Sequence, residues 1–322
     1  MAGRCIDFTS LERVGLAQDV HTLIETLPYA RFFDIIEPTY RELTIEFLST
    51  FFLQQQITNW HQPDAIYFRL GGREFSMSVP QFGMHLGLWT EQEISGEEYQ
   101  GCLYIHPISY DAMWDSLVMR PETYYPSRSK ASSLPDHLRY IHTLLAYTIT
   151  GRGDSFGAVT QTDVFILWAM QHRKKLDLGY LLARQVRSFI VDAQKKMHCC
   201  FGPYVTRLAK RLDVLDDCLS ELSNIGDMTP LGIRQMINMQ MITATRHPHG
   251  IEYRLVSTIV REAREAAARG AQHPSAGILD VRIPNPARVF MPSSGASSSH
   301  SVEPSSVQIS ALTDRLDRVC DL

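Results

Sequence analysis

The chain has 322 residues, 44% hydrophobic and 20% charged, with a net charge of −4. Such a length buries a substantial core in one large domain or two medium ones, and such a composition is ordinary for a globular protein. No stretch reaches the roughly 18 consecutive apolar residues of a membrane span, and the opening MAGRCIDFTSLERVGLAQDV lacks the apolar region of a secretory signal.

Charge is unevenly spread. Residues 1–127 hold 7 Lys/Arg against 17 Asp/Glu, a net of −10, whereas residues 168–211 hold 10 Lys/Arg against 2 Asp/Glu, a net of +8. An anionic partner for the basic part would explain this, and so would two complementary faces of one molecule. The six cysteines, Cys5, Cys102, Cys199, Cys200, Cys218 and Cys320, form no C-x-x-C pair. They read as reduced thiols of an intracellular protein, nuclear or cytoplasmic.

In chain order, Thr39 and Glu42 suggest a capping box before YRELTIEFLSTFFL, where Tyr40, Leu43, Phe47 and Phe51 recur at helical spacing. Residues 65–88, AIYFRLGGREFSMSVPQFGMHLGL, are the most legible stretch. Gly71-Gly72 suits a two-residue hairpin turn over 66–77, pairing Leu70 with Arg73, Arg69 with Glu74, Phe68 with Phe75 and Ile66 with Met77. One face then carries Ile66, Phe68, Phe75 and Met77 and the other the opposite charges of Arg69 and Glu74. Ser78 and Gln81 spell a capping box, Pro80 sits in the tolerant first turn, and Gly87 can close the short helix.

YYPSRSKASSLPD (124–136) is a Ser/Pro-rich connector. Leu138, Ile141, Leu145 and Ile149 stripe the next helix, GRGDSFG (151–157) breaks it, and Thr160 with Asp163 caps VFILWAM, an all-apolar and hence buried helix. A helix over 178–197 carries Leu182, Val186, Phe189 and Ala193 on one side and Arg184, Arg187 and Lys195 on another, with Phe201-Gly202-Pro203 ending it. Val205, Leu208, Leu212, Leu215, Leu219 and Leu222 alternate by three and four, too briefly for a free coiled coil, so bundle packing is expected. Thr229-Pro230 starts a helix striped by Ile233, Ile237 and Met241, and residues 251–270 read as the last helix of the body. Residues 271–308 are rich in Ser, Pro and Gly, a disordered linker by composition, and 309–322 regain a stripe through Ile309, Leu312, Leu316 and Val319, the start of a truncated helix.

Few motifs carry chemistry. The RGD of the 151–155 stretch is better read as a helix-to-helix loop than as an adhesion signal. His198-Cys199-Cys200 cannot all face one tetrahedral ion without strain, His137 and His142 are misaligned on a helix, and His142 reads as a satisfied, partly buried histidine, so no metal site is expected. Nucleotide, hydrolase and metalloprotease fingerprints are missing, so no catalytic residue and no cofactor is expected. The basic segment is the one functional signal. Arg173, Lys174, Lys175, Arg184, Arg187, Lys195, Lys196, Arg207, Lys210 and Arg211 could contact phosphates, which requires charge and no sequence code. The interleaved Trp168, Tyr180, Phe189, Phe201 and Tyr204 sit on apolar stripes and read as core.

FFDIIEPTYRELTIEFLSTF, IYFRLGGREFSMSVPQFGMHLGL, SRSKASSLPDHLRYIHTLLAYTITGRGDS, VTQTDVFILWAM and YVTRLAKRLDVL occur in this order. Together, over about 30–270, they resemble the plant Athila-type retrotransposon first open reading frame product, also known as a plant transposon protein domain. The hairpin–helix unit alone is similar to the plant mobile domain. The resemblance implies a gag-like position in a long-terminal-repeat element, and it supplies no active site. Neither a nucleocapsid-type knuckle nor a protease or polymerase triplet is found.

The expected fold is mainly α: a multi-helix, bundle-like body with one small β-hairpin, a disordered tail and a truncated C-terminal helix. An acidic helical part (1–127) packs with a basic one (128–270) as one body. The expected function is that of a non-enzymatic, transposon-derived structural or interaction protein that self-associates and binds RNA or DNA through residues 168–211, with no membrane partner. The alternatives are a mobile-domain-type chromatin- or RNA-associated host factor, and an enzyme of unknown reaction.

Overall fold

Short capped helices and small sheets alternate along the chain, for which a computed structural model describes residues 3–271 apart from 55–58, 60, 105, 127, 153–156 and 193–197. The expected linker and C-terminal helix beyond 271, Ala193, Lys195, Lys196 and most of the RGD loop therefore lie outside the described residues. β1 (Arg4–Cys5) leads into α1 (Phe8–Val14), where Asp7 Oδ1 accepts from the Ser10 amide at 3.0 Å. α2 (Ala17–Ile24) and α3 (Tyr29–Phe33) follow, then β2 (Thr39–Tyr40) and α4 (Arg41–Thr50). The expected Thr39–Glu42 box does not form. Thr39 is instead in β2, Tyr40 is the uncapped N-cap of α4, and the Glu42 carboxylate accepts from the Ser223 amide at 2.8 Å.

β3 (Phe52–Leu53), β4 (Ile66–Leu70) and β5 (Arg73–Met77) form an antiparallel sheet in that order. The hairpin has the register read from sequence, Leu70 opposite Arg73 through Ile66 opposite Met77, with Gly71 and Gly72 at φ 56° and 75°. A side chain at Gly71 would also collide with Val214, 2.4 Å from the ideal Cβ. Phe68 is fully buried, with ring centroids of Phe47, Phe75 and Phe82 at 5.0, 5.6 and 6.2 Å. Phe75 is only half-buried, with the exposed Arg73 guanidinium carbon 5.5 Å from its ring centroid. α5 (Val79–His85) starts with the expected Ser78–Gln81 capping box.

α6 (Glu91–Ser95), α7 (Glu97–Gln100) and α8 (Tyr110–Leu117) lead to α9 (Asp136–Thr148) and α10 (Gln161–Gln171). α10 is buried from Asp163 through Met170 and begins at the expected Thr160–Asp163 box. α11 (Leu178–Val191) crosses α5 at Gly179, where a Cβ would lie 2.9 Å from the Gly83 Cα, so the crossing requires glycine. Residues 201–203 do not end this helix. They open the next one, α12 (Gly202–Arg211), with Pro203 in its tolerant first turn.

The apolar alternation of 205–222 is not one helix. α12 stops at Arg211, Asp213 takes φ 53°, and α13 (Leu215–Cys218) starts in a new direction. β6 (Asn224–Gly226) pairs with β2, and β7 (Thr229–Pro230) pairs in parallel with β1, so Thr229-Pro230 is a strand and the helix following it, α14 (Ile233–Asn238), starts three residues later. The last expected helix is also shorter. β8 (Ile242–His247) and β9 (Gly250–Leu255) form a second hairpin, and α15 (Val256–Ala271) begins only after it. The fold is mainly α, with several small sheets where one hairpin was expected.

Removing the Phe68 ring should cost roughly 3–5 kcal/mol and removing the half-buried Phe75 ring roughly 1–2 kcal/mol. Urea denaturation of Phe68→Ala and Phe75→Ala measures both. A loss under about 1 kcal/mol for Phe68→Ala would contradict this packing.

Candidate functional site

α11 divides its residues by face. Leu178, Leu182, Val186 and Phe189 point into the core, while Tyr180, Arg184, Arg187 and Val191 recur at i, i+4, i+7 and i+11 on the outer side. Tyr180 and Arg187 are half-buried, Arg184 is exposed, and Val191 is 63% exposed.

Asp177 fixes what stands beside this face. Its Oδ1 accepts from the Tyr180 amide at 2.9 Å, capping α11, and its other oxygen accepts from the Tyr99 hydroxyl. The Leu103 amide donates to the Lys175 carbonyl at 2.9 Å and the Asp177 amide donates to the Leu103 carbonyl at 3.3 Å, laying residues 99–104 along the start of the helix. Tyr104 thereby meets Tyr180 edge-on, with centroids 5.8 Å apart. The Arg184 guanidinium carbon lies 5.6 Å from the Tyr180 centroid. Its charge also reaches Tyr110 at the start of α8, whose phenol is pushed up by burial and pulled back by Arg184. The exposed His106 ring sits 4.4 Å from that of Tyr110. Tyr104, His106, Tyr110, Tyr180, Arg184 and Arg187 thus gather into one partly exposed aromatic and cationic patch.

The other cations of the basic segment go elsewhere. Arg173 Nη2 lies 3.1 Å from Glu25 Oε1. Arg207 Nε lies 2.8 Å from Glu37 Oε1, and Lys210 pairs with the other oxygen of the same carboxylate. Arg211 packs beside Gly87 and the half-buried His85, whose imidazole is pushed down by burial. Lys174 is exposed and Lys175 half-buried at the turn before α11, and Lys195 and Lys196 lie outside the described residues. Trp168, Phe189, Phe201 and Tyr204 are core, as read from sequence, whereas Tyr180 belongs to the patch.

The buried carboxylates serve helix starts. Burial pushes Asp177 up to about 6 against the pull of the Tyr99 hydroxyl and the Tyr180 and Gly179 amides. Asp163 is also desolvated, yet His142, Arg152 and the Thr160 amide together hold its carboxyl below the usual range. Its Oδ2 takes the Thr160 amide at 2.7 Å and Arg152 Nη2 at 2.5 Å, with His142 Nε2 at 3.4 Å. His142 is fully buried without an aligned hydrogen bond at either nitrogen, so it is less well satisfied than the sequence suggests. Among the described residues, no group of three or more His, Cys, Asp or Glu could hold a metal ion, and no helix is long and apolar enough to cross a membrane.

The cleft beside α15, about 1020 Å³, is lined by Arg120, Arg139, Arg261 and Arg264 but also by Asp19, Glu122, Asp136 and Glu265. Its interleaved carboxylates oppose a polyanion, and Asp136 is taken by the Ser257 hydroxyl.

Because the folded pKa of Asp177 lies above its unfolded value of about 4, the folded chain holds a proton that the unfolded chain releases. The contribution of this one group to stability should fall as pH rises from about 4 to about 6 and level off above, opposite in sign to those of Glu93, Asp163 and His85. Asp177→Asn keeps a cap acceptor and should remove this slope from denaturation curves taken across that range; an unchanged slope would contradict the assignment. Arg207→Glu sets two carboxylates against each other at Glu37 and should cost roughly 2–4 kcal/mol. Urea denaturation measures the loss, and a value under about 1 kcal/mol would contradict the pairing.

A model of the ATHILA ORF-1 family matches residues 3–171, a span that holds α1 to α10, the first hairpin, Tyr104, His106 and Tyr110. No curated protein and no solved structure matches. The matched span covers more than half of the chain and includes the hairpin–helix unit and the Thr160–Asp163 cap that mark its sequence, and the chain belongs to the ATHILA ORF-1 family.

Proposed function

We propose that this chain is a non-catalytic structural and interaction protein of a retrotransposon, in a gag-like position, that binds nucleic acid through the outer face of α11 and associates with further copies of itself. The observation that carries the reading is the sorting of cations. Glu25 takes up Arg173, Glu37 takes up Arg207 and Lys210, and Arg211 packs beside His85, while Arg184 and Arg187 stand on one outward stripe whose neighbours are aromatic, with the exposed Lys174 at the turn before it. The two fully buried carboxylates, the natural places to seek perturbed catalytic groups, are taken up at helix starts: Asp163 accepts from the Thr160 amide in the capping box of α10, and Asp177 caps α11. Self-association is favoured by the β8–β9 hairpin, a two-stranded sheet with mostly exposed residues and an unpaired edge on each side among the described residues.

Affinity for single-stranded RNA and for duplex DNA at about 50 and about 200 mM salt tests the reading. With roughly three phosphates neutralised, single-strand binding should weaken on the order of 10- to 30-fold across that range. The Arg184/Arg187/Lys195→Glu triple variant should lose most of it. Equal binding by the two proteins, or no salt dependence, would remove nucleic acid from the account. Light scattering after RNase treatment separates true self-association, which persists, from bridging by RNA, which does not.

A further inference from the structure

Charge alone would serve a duplex as well as a single strand, and the patch on α11 carries more than charge. Resting on the reading above, we infer that the ligand is single-stranded nucleic acid, held by base stacking on Tyr180 with its Arg184 cover and on the His106–Tyr110 pair, while Arg187 meets the backbone.

Three observations support it. The Arg184 guanidinium stands 5.6 Å from the centroid of Tyr180, which is itself braced edge-on by Tyr104 at 5.8 Å. A planar cation on an aromatic ring is a surface on which a base can lie. The His106 and Tyr110 rings, with centroids 4.4 Å apart and tilted by 43°, give a second platform within reach of the Arg184 charge. Finally, the Tyr104–Tyr180 pair is firmly placed. The strand-like pairing of Leu103 with Leu176 and the Asp177–Tyr99 bond hold the two segments that carry it, so little ordering is lost there on binding. Asp111, which follows Tyr110 in α8, accepts from the Tyr124 amide at 3.1 Å. A duplex keeps its π-faces inside its own stack and gains nothing from these rings; an unpaired base has a free face for each.

Fluorescence anisotropy with a labelled oligouridine RNA of about 12 nucleotides and a duplex DNA of the same length provides the test, on the full chain and on the Arg184→Lys and Tyr180→Leu variants. Arg184→Lys keeps the charge, removes the planar cover and changes an exposed residue. Its thermal melt shows that the fold is retained, should Tyr180→Leu loosen the helix. The wild type should prefer RNA over duplex by tenfold or more, and each variant should reduce that ratio roughly tenfold, the loss of one base–aromatic stack. Salt-dependent binding to both ligands with a ratio near one, or a ratio unchanged in both variants, would overturn the stacking inference and leave the electrostatic reading standing. A wild type that binds neither ligand would overturn both, and would point to a protein partner for the same Tyr/Arg surface.

Discussion

The seam between α12 and the segment 32–39 decides which charges of the molecule remain available. Phe32 stacks on Tyr204 with centroids 5.2 Å apart, the Thr206 hydroxyl donates to the Pro38 carbonyl at 2.7 Å, and Gly202 leaves no room for a side chain against Thr39. Those contacts bring the buried Glu37 between Arg207 and Lys210, and the Asp34 carbonyl accepts from Arg207 at 3.3 Å. A half-buried ion pair of this kind adds little net stability by itself, yet losing one partner is costly because the other charge is stranded. Two of the three cations of α12 are thus answered by one carboxylate of the acidic half of the chain. The charge asymmetry along the sequence is partly an internal matching of faces and partly a surface field, and the seam separates the two.

A second junction has the same logic with a different chemistry. Asp177 ties the 99–104 segment to the start of α11 while the Gly83–Gly179 approach sets the helix tight against α5. Arg31 adds a paired contact nearby, donating to both oxygens of Glu93 at 2.6 and 3.0 Å and to the Leu88 carbonyl at 3.0 Å, which holds the Glu93 carboxyl at about 2. The outward face of α11 is therefore presented on a braced helix, and rings from a segment some seventy residues upstream stand next to its arginines.

Local chemistry made part of this legible in the sequence. The Gly71-Gly72 turn, the Ser78 and Thr160 caps and the apolar run of α10 each depend on residues within a few positions of one another, and each has the register or boundary that the sequence implies. Where distant partners compete, the local signal failed. Thr39 pairs with Gly226 in place of capping a helix, Thr229-Pro230 pairs with Arg4-Cys5, and residues 251–255 pair with 242–246 before helical periodicity takes over. The heptad-like alternation of 205–222 is interrupted by Asp213, where the backbone turns left-handed. The candidate site was half visible: Tyr180, Arg184 and Arg187 stand at helical spacing, but Tyr104 joins them through the long-range bonds of Asp177 and Leu103, and the His106–Tyr110 pair lies within reach of the Arg184 charge, which no local spacing announces.

On our proposal, α11 with the rings of Tyr104, His106 and Tyr110, and not the basic α12, forms the nucleic-acid surface. Photo-crosslinking of a 4-thiouridine-substituted single-stranded RNA, followed by mass spectrometric mapping of the adducts, addresses it most directly. The account predicts adducts at Tyr180, His106 or Tyr110, suppressed by competing unlabelled RNA and by high salt. Adducts concentrated at 207–211, or in the cleft around Arg261 and Arg264, would contradict it.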